Sequence, residues 1–120
     1  MSTRAIIGKQ IDNDSYFSVY LHREGYVEYS GLLLQKNYAT PERVDQLLAL
    51  GDMSSLGISI DSCLFYNRDS KESWEQVKPK IRNLQEICSE EWVYIWDDTQ
   101  WLGSESKSFN LIPIQNLLAV

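Results

Sequence analysis

The sequence predicts an α+β domain, a mostly antiparallel sheet of about five strands with a helical hairpin and a further helical segment packed on one face. Three observations point there. Period-2 runs rich in β-branched and aromatic residues mark strands at residues 4–11, 16–22, 60–67 and 92–96, with a fifth beginning at Trp101. Helical spacing of apolar residues fills the stretches between those runs. The helices come in blocks between hairpins rather than after every strand, which disfavours a doubly wound parallel sheet.

The first two strands flank the turn cluster Asp12-Asn13-Asp14-Ser15. In the second, Phe17, Val19 and Leu21 share an apolar face. Tyr16, Ser18, Tyr20 and His22 share the other, which ends in the chain's only histidine. A loop centred on Asn13-Asp14 sets Ile11 against Tyr16, Ile7 against Tyr20 and Ala5 against His22. It also sets Arg4 against Arg23, an unfavourable pairing of like charges. A slipped register would relieve it, as would a negative group between them, either Glu24 or a bound anion. Gly25 is expected to supply the positive φ of the tight turn that follows.

Tyr29, Leu32, Leu33 and Lys36 carry helical spacing over about 28–37, weakened by Gly31, which allows close packing. The next helix has a full set of end signals: Thr40 as N-cap, Pro41 in the first helical position and Glu42 in the first turn. Val44, Leu47 and Leu48 form its buried stripe and Gly51 stops it. Residues 51–57 read as a compact turn capped by Asp52. They lack the lysine and the strand-to-helix setting of a phosphate loop.

The third strand, Ile60 to Asn67, has Cys63 and Phe65 on one face and Leu64 and Tyr66 on the other, which predicts a central place with both faces covered. Trp74 and Val77 suggest a turn of helix that Pro79 interrupts, and Ile81, Leu84, Ile87 and Cys88 continue an apolar helical stripe. Trp92–Trp96 and Trp101–Leu102 flank the turn Asp97–Gln100, so Trp96 faces Trp101, a cross-strand pair worth ~0.5–1 kcal/mol. Residues 103–109 form a polar linker to an apolar C-terminal segment. There Ile114, Leu117 and Leu118 are spaced for a short helix that docks on the domain.

Composition bounds the function. The 120 residues make a single domain, 1–120, whose 43% hydrophobic and 23% charged residues suit a packed core rather than disorder. A net charge of -6 argues against direct nucleic-acid binding, whose footprint is a basic stripe. No apolar run is long enough for a membrane span. Met1 to Arg4 leads into a strand rather than an apolar leader, which predicts a cytoplasmic chain. Cys63 and Cys88 read as reduced, buried thiols. One histidine and two separated cysteines make no metal cluster, and no cofactor is expected. Catalytic templates are missing: there is no G-x-S-x-G, and Glu90-Glu91 and Asp97-Asp98 are adjacent pairs whose members diverge. No catalytic residue is assigned.

One constellation remains, a rim at the exits of the strands comprising Arg4, His22, Arg23, Tyr26, Arg68 and Asp69. Arginines with a tyrosine and a histidine can hold a phosphate or a carboxylate. The competing reading is a salt-bridged rim closed by Glu24 and Asp69, with His22 on the backbone. Trp92, Trp96 and Trp101 offer a similar choice between stacking a base and filling the core, and core is the preferred reading.

Several motifs occur together. They are S-T-R-A-x-I (Ser2 to Ile7), H-x-x-G-Y (His22 to Tyr26), L-L-x-x-x-Y running into T-P-E-x-V, L-G-D-M-S-S-L-G (Leu50 to Gly57) and Y-x-R-D (Tyr66 to Asp69). In this order and spacing the chain resembles a family of small proteins encoded by bacteriophages and prophages. The likeness covers residues 2–69 well and the rest weakly. Members often carry Trp then Asp before the glycine of H-x-x-G-Y. Here Arg23 and Glu24 stand there, so the acid is kept and the aromatic lost. The resemblance implies a setting rather than a mechanism: a bacterial host cytoplasm, a phage-derived gene and an accessory role such as counter-defence.

Three functions follow in order of preference. The first is an accessory protein that binds and blocks a host protein. The second is a binder or sink for an anionic small molecule or nucleotide signal at the Arg/His/Tyr rim. The third is a small phosphohydrolase using His22. A homo-oligomer is compatible with each.

Overall fold

A computed structural model describes residues 3–105 and 110–118. Strand β1 (Ala5–Asp12) and strand β2 (Ser15–Leu21) form the predicted antiparallel hairpin. A π-helical turn, Val27–Gly31, runs directly into helix α1 (Leu32–Asn37), and helix α2 (Pro41–Leu48) follows. Strand β3 (Met53–Ser55), a 3₁₀ turn at Ile60–Ser62 and strand β4 (Leu64–Phe65) come next. Helix α3 (Trp74–Val77), strand β5 (Lys80–Arg82) and helix α4 (Leu84–Ile87) lead to a second hairpin of strands β6 (Trp92–Trp96) and β7 (Trp101–Glu105). Strand β8 (Ile112–Pro113) and helix α5 (Ile114–Leu118) close the described chain.

The α+β class holds, but the expected mostly antiparallel sheet of about five strands does not. Among the described residues the sheet has eight strands, in the order β4-β3-β2-β1-β6-β7-β8 with β5 attached to β2. It is mixed, because β1 pairs in parallel with β6, and β2 with β3. The β1–β6 pair explains why both stretches are apolar on consecutive residues. Ala5, Ile6 and Ile7, like Val93, Tyr94 and Ile95, are buried on alternating sides of a strand covered on both faces.

Two cores result, where helices were expected on one face. The larger joins Ile7, Val19, Leu21, Tyr94 and Trp96 to side chains of α1, α2 and α5. The smaller joins Ile6, Tyr16, Val93 and Ile95 to Ile87 and Cys88 at α4. Cys63 lies in the first and Cys88 in the second. Trp92, Trp96 and Trp101 serve the core. Trp96 and Trp101 face each other across the hairpin, their rings 5.6 Å apart and edge-on, and Trp92 stacks on Tyr94.

The β1–β2 register slips. The expected pairing survives only at Asp12↔Ser15. A bulge then leaves Ile11 unpaired, and Gln10 meets Tyr16 in its place, so that Ile7 meets Val19 and Ala5 meets Leu21. Carried one residue further, this register sets Arg4 across from His22 and removes the clash with Arg23.

Helix α2 matches its sequence signals: Thr40 Oγ1 accepts from the Arg43 N–H at 3.2 Å, and Gly51 takes φ +84° just beyond the helix. Elsewhere short elements replace longer expected ones. Residues 51–57 contain β3 rather than only a turn. The strand expected over 60–67 is the two-residue β4 at a sheet edge, and Leu64 is half exposed. The stripe read as helical at Ile81 is β5, and Ile81 faces outward. Of the expected linker, Gly103 to Glu105 belong to β7 and residues 106–109 lie outside the described residues. Helix α5 docks as expected, with Ile114 fully buried.

The turn after β2 also differs from expectation. Glu24, not Gly25, takes the positive φ, at 56°. Glycine is needed at 25 for proximity. A Cβ there would lie 2.8 Å from Ala5 Cβ and 2.9 Å from the Thr3 carbonyl. The turn is held by the Gly25 N–H on Thr3 O (2.8 Å), by Ser30 Oγ on Glu24 O (2.6 Å) and by the buried Tyr94 hydroxyl, which donates to Gly25 O.

Candidate functional site

The outer edge of β2 is shared by two strands. β5 pairs with it over Tyr16–Ser18 and β3 pairs with it at Leu21. The Tyr20 N–H faces the gap between them, and the Asp52 carboxylate fills that gap, accepting the proton at 2.8 Å. Asp52 is itself held by its own N–H on Val77 O (2.8 Å), and its carbonyl accepts from the Tyr66 N–H (3.2 Å). Burial pushes the Asp52 carboxyl above the usual range, against the pull of the Tyr20 N–H and of the Arg82 and Lys80 charges. Asp52 thus completes the sheet rather than standing ready for chemistry.

At the exit of β2, Tyr20 and His22 are in contact. The Tyr20 hydroxyl lies 3.4 Å from His22 Nδ1, and the two rings meet edge-on with centroids 6.0 Å apart. Partial burial raises the Tyr20 phenol pKa. The Arg4 guanidinium lowers it, and Glu90, Tyr66 and Asp52 add to the rise. Tyr66 is raised by burial and by Glu72, and lowered by Arg23 and by a hydrogen bond with Ser54. Of these two half-buried phenols, the one next to the histidine feels the Arg4 charge and the other the Arg23 charge. Neither guanidinium forms an ion pair among the described residues.

The six residues read from the sequence do not all meet. His22 touches Tyr20, and the charges of Arg4 and Arg23 reach Tyr20 and Tyr66 respectively. Tyr26 stands apart on the π-helical turn, its ring 6.2 Å from that of Tyr29. Arg68 and Asp69 form a separate structural unit. Arg68 donates to Asp69 (3.0 and 3.1 Å), to Ile60 O (3.1 Å) and to Cys63 O (2.8 Å), and its guanidinium covers the Phe65 ring at 4.9 Å. Asp69 also accepts from the Phe65 N–H at 2.7 Å, and Arg68 together with that N–H holds its carboxyl below the usual range. The pair ties the 3₁₀ turn to β4, which is why Arg68 has little left to offer a ligand.

Sequence reasoning missed Tyr20, Tyr66 and Asp52 as members of this site. Tyr20 was legible as part of a tyrosine-lined face. Tyr66 and Asp52 reach it only through the pairing of β3 with β2, for which no local signal exists.

No protein-family model, curated protein or solved structure matches the chain. Among the described residues no helix is long and apolar enough to cross a membrane, and no three metal-ligating side chains converge. The nearby acids Asp52 and Glu91 are engaged by backbone N–H groups, of Tyr20 and Arg4, rather than by the side-chain donors. Two guanidinium groups, two phenols and an imidazole can together surround a small anion.

Proposed function

We propose that this chain is a phage-derived accessory protein of the bacterial cytoplasm that acts by binding. Its ligand is an anionic small molecule of the nucleotide-signal class, held between Arg4 and Arg23 over Tyr20, His22 and Tyr66. What supports this reading is that Arg4 and Arg23 form no ion pair among the described residues while their charges act on the half-buried phenols of Tyr20 and Tyr66. Arg68, by contrast, is fully engaged. The acids Glu90 and Glu72 at the margins disfavour a long polyanion and leave room for a compact one. The phage setting rests on the ordered motifs between Ser2 and Asp69.

Native mass spectrometry of the protein purified gently from bacterial cells tests the reading. The expected result is a discrete extra mass, released on denaturation and absent from the doubly substituted R4A/R23A protein. A clean wild-type spectrum, with no binding of added nucleotides, refutes it. A second reading is that the chain blocks a host protein. Two side chains on and near the edge strand β4 favour it, Leu64 at 50% exposure and Ile58 at 67%. On that reading an L64D substitution abolishes capture of the partner from infected cells, while the R4A/R23A pair leaves capture intact.

A further inference from the structure

A cleft of about 250 Å³ lies on the opposite side of the sheet from the rim, between α2 and the 3₁₀ turn. Its lining is Tyr38, Arg43, Gln46, Ser59, Ile60 and Asp61. The floor is rigid. Tyr38 is 1% exposed, its hydroxyl donates to Gly57 O at 2.8 Å, and its carbonyl accepts from the Trp101 indole at 2.9 Å. One wall is fixed by the hydrogen bonds between Ser59 and Ser62 at the start of the 3₁₀ turn. The other is helical, with Arg43 and Gln46 one turn apart on α2.

The charges across this cleft are opposite and unspent. Arg43 is oriented by one bond, from Nη1 to Asn37 O at 2.9 Å, which leaves Nε and Nη2 as a fork for a carboxylate. Asp61 forms no ion pair among the described residues. Arg68 lies within reach of its field but bonds to Asp69 and to backbone carbonyls instead. Arg43 and Asp61 do not pair with each other. A ligand with one charge alone would satisfy one wall and leave the other facing it unmatched. At about 250 Å³ the cleft lies just below the range of drug-sized ligand sites, which suits a smaller molecule.

We propose that this cleft is a binding site for a small zwitterion of the α-amino acid class, its carboxylate on Arg43, its ammonium on Asp61 and its side chain against Ile60 and Tyr38. The site is independent of the rim and stands or falls separately from it. The test is amide-resolved NMR of the full chain, titrated with the proteinogenic amino acids one at a time to about 10 mM, enough to fill a millimolar site. At least one should shift the amides of residues 38–46 and 59–62. Its N-acetyl and carboxamide derivatives, each lacking one charge, should bind about tenfold more weakly or worse, as should the D61N protein. Arg43→Met should do the same. If losing the Asn37 contact unfolds that variant, D61N carries the test, since Asp61 makes no bond within the described fold. The proposal is overturned if no amino acid shifts those amides, if the shifts fall elsewhere, or if a singly charged derivative binds as tightly as its parent.

Discussion

Substituting Asp52 in two ways separates its acceptor role from its charge. Asp52→Ala removes the acceptor of the Tyr20 N–H, a 2.8 Å bond at a gap in the sheet that no strand fills. A buried donor left unsatisfied costs about 1–3 kcal/mol, or about 4–12 °C in Tm for a chain of this length. Asp52→Asn keeps an oxygen in place and removes the charge. Burial is the largest influence on this carboxyl and outweighs the attraction of Arg82 and Lys80, so the folded pKa lies above the ordinary value. The folded state therefore binds more protons than the unfolded state between the ordinary pKa and the raised one. Wild-type stability from this group falls as pH rises through that window, and the charged form is a net cost above it. D52N should escape that cost, so its stability relative to wild type should grow with pH. Urea denaturation of all three proteins from about pH 4 to about pH 8 reads both effects. The reasoning fails if D52N loses as much stability as D52A, or if the difference between D52N and wild type does not change with pH.

Other substitutions probe the remaining contacts. Trp101→Phe leaves the Tyr38 carbonyl without its 2.9 Å donor, whereas the buried Trp96 indole N–H has no partner among the described residues. W101F should therefore be less stable than W96F by about 1 kcal/mol, measured from the urea midpoints. Gly25→Ala forces a Cβ against Ala5 and Thr3 in a turn held by three hydrogen bonds, and thermal unfolding should show a loss of about 1–3 kcal/mol. Arg68→Ala forfeits two bonds to carbonyls and should cost about 1–2 kcal/mol while leaving rim affinity unchanged. Arg4→Ala and Arg23→Ala should do the reverse, with stability within about 0.5 kcal/mol of wild type and weakened binding of the rim ligand.

Local chemistry alone determines a good deal of this protein. The end signals of α2, from Thr40 and Pro41 to Gly51, act within a few residues, and the helix begins and ends where they place it. The Trp96–Trp101 pair follows from the length of one turn, and the α+β class from the spacing of apolar residues. The expected opposition of Arg4 and Arg23 is absent, because the bulge at Ile11 shifts the register by one residue.

Tertiary structure decided what depends on distant partners. β3, β4 and β5 are two or three residues long, too short to leave a periodic signature, and exist because another strand's edge offers hydrogen bonds. The parallel pairing of β1 with β6 joins segments almost ninety positions apart, and nothing in either names the other. The site shows the same division. Arg4 and His22 are brought together by a hairpin, whose turn lies between them in the sequence. Tyr66 and Asp52 arrive only because β3 docks beside β2, and Arg68 is withdrawn because the fold gives it carbonyls and a carboxylate nearer to hand. Turns and caps are made by neighbours and can be read from them. Long-range pairing is chosen by which edges remain open once the cores have formed.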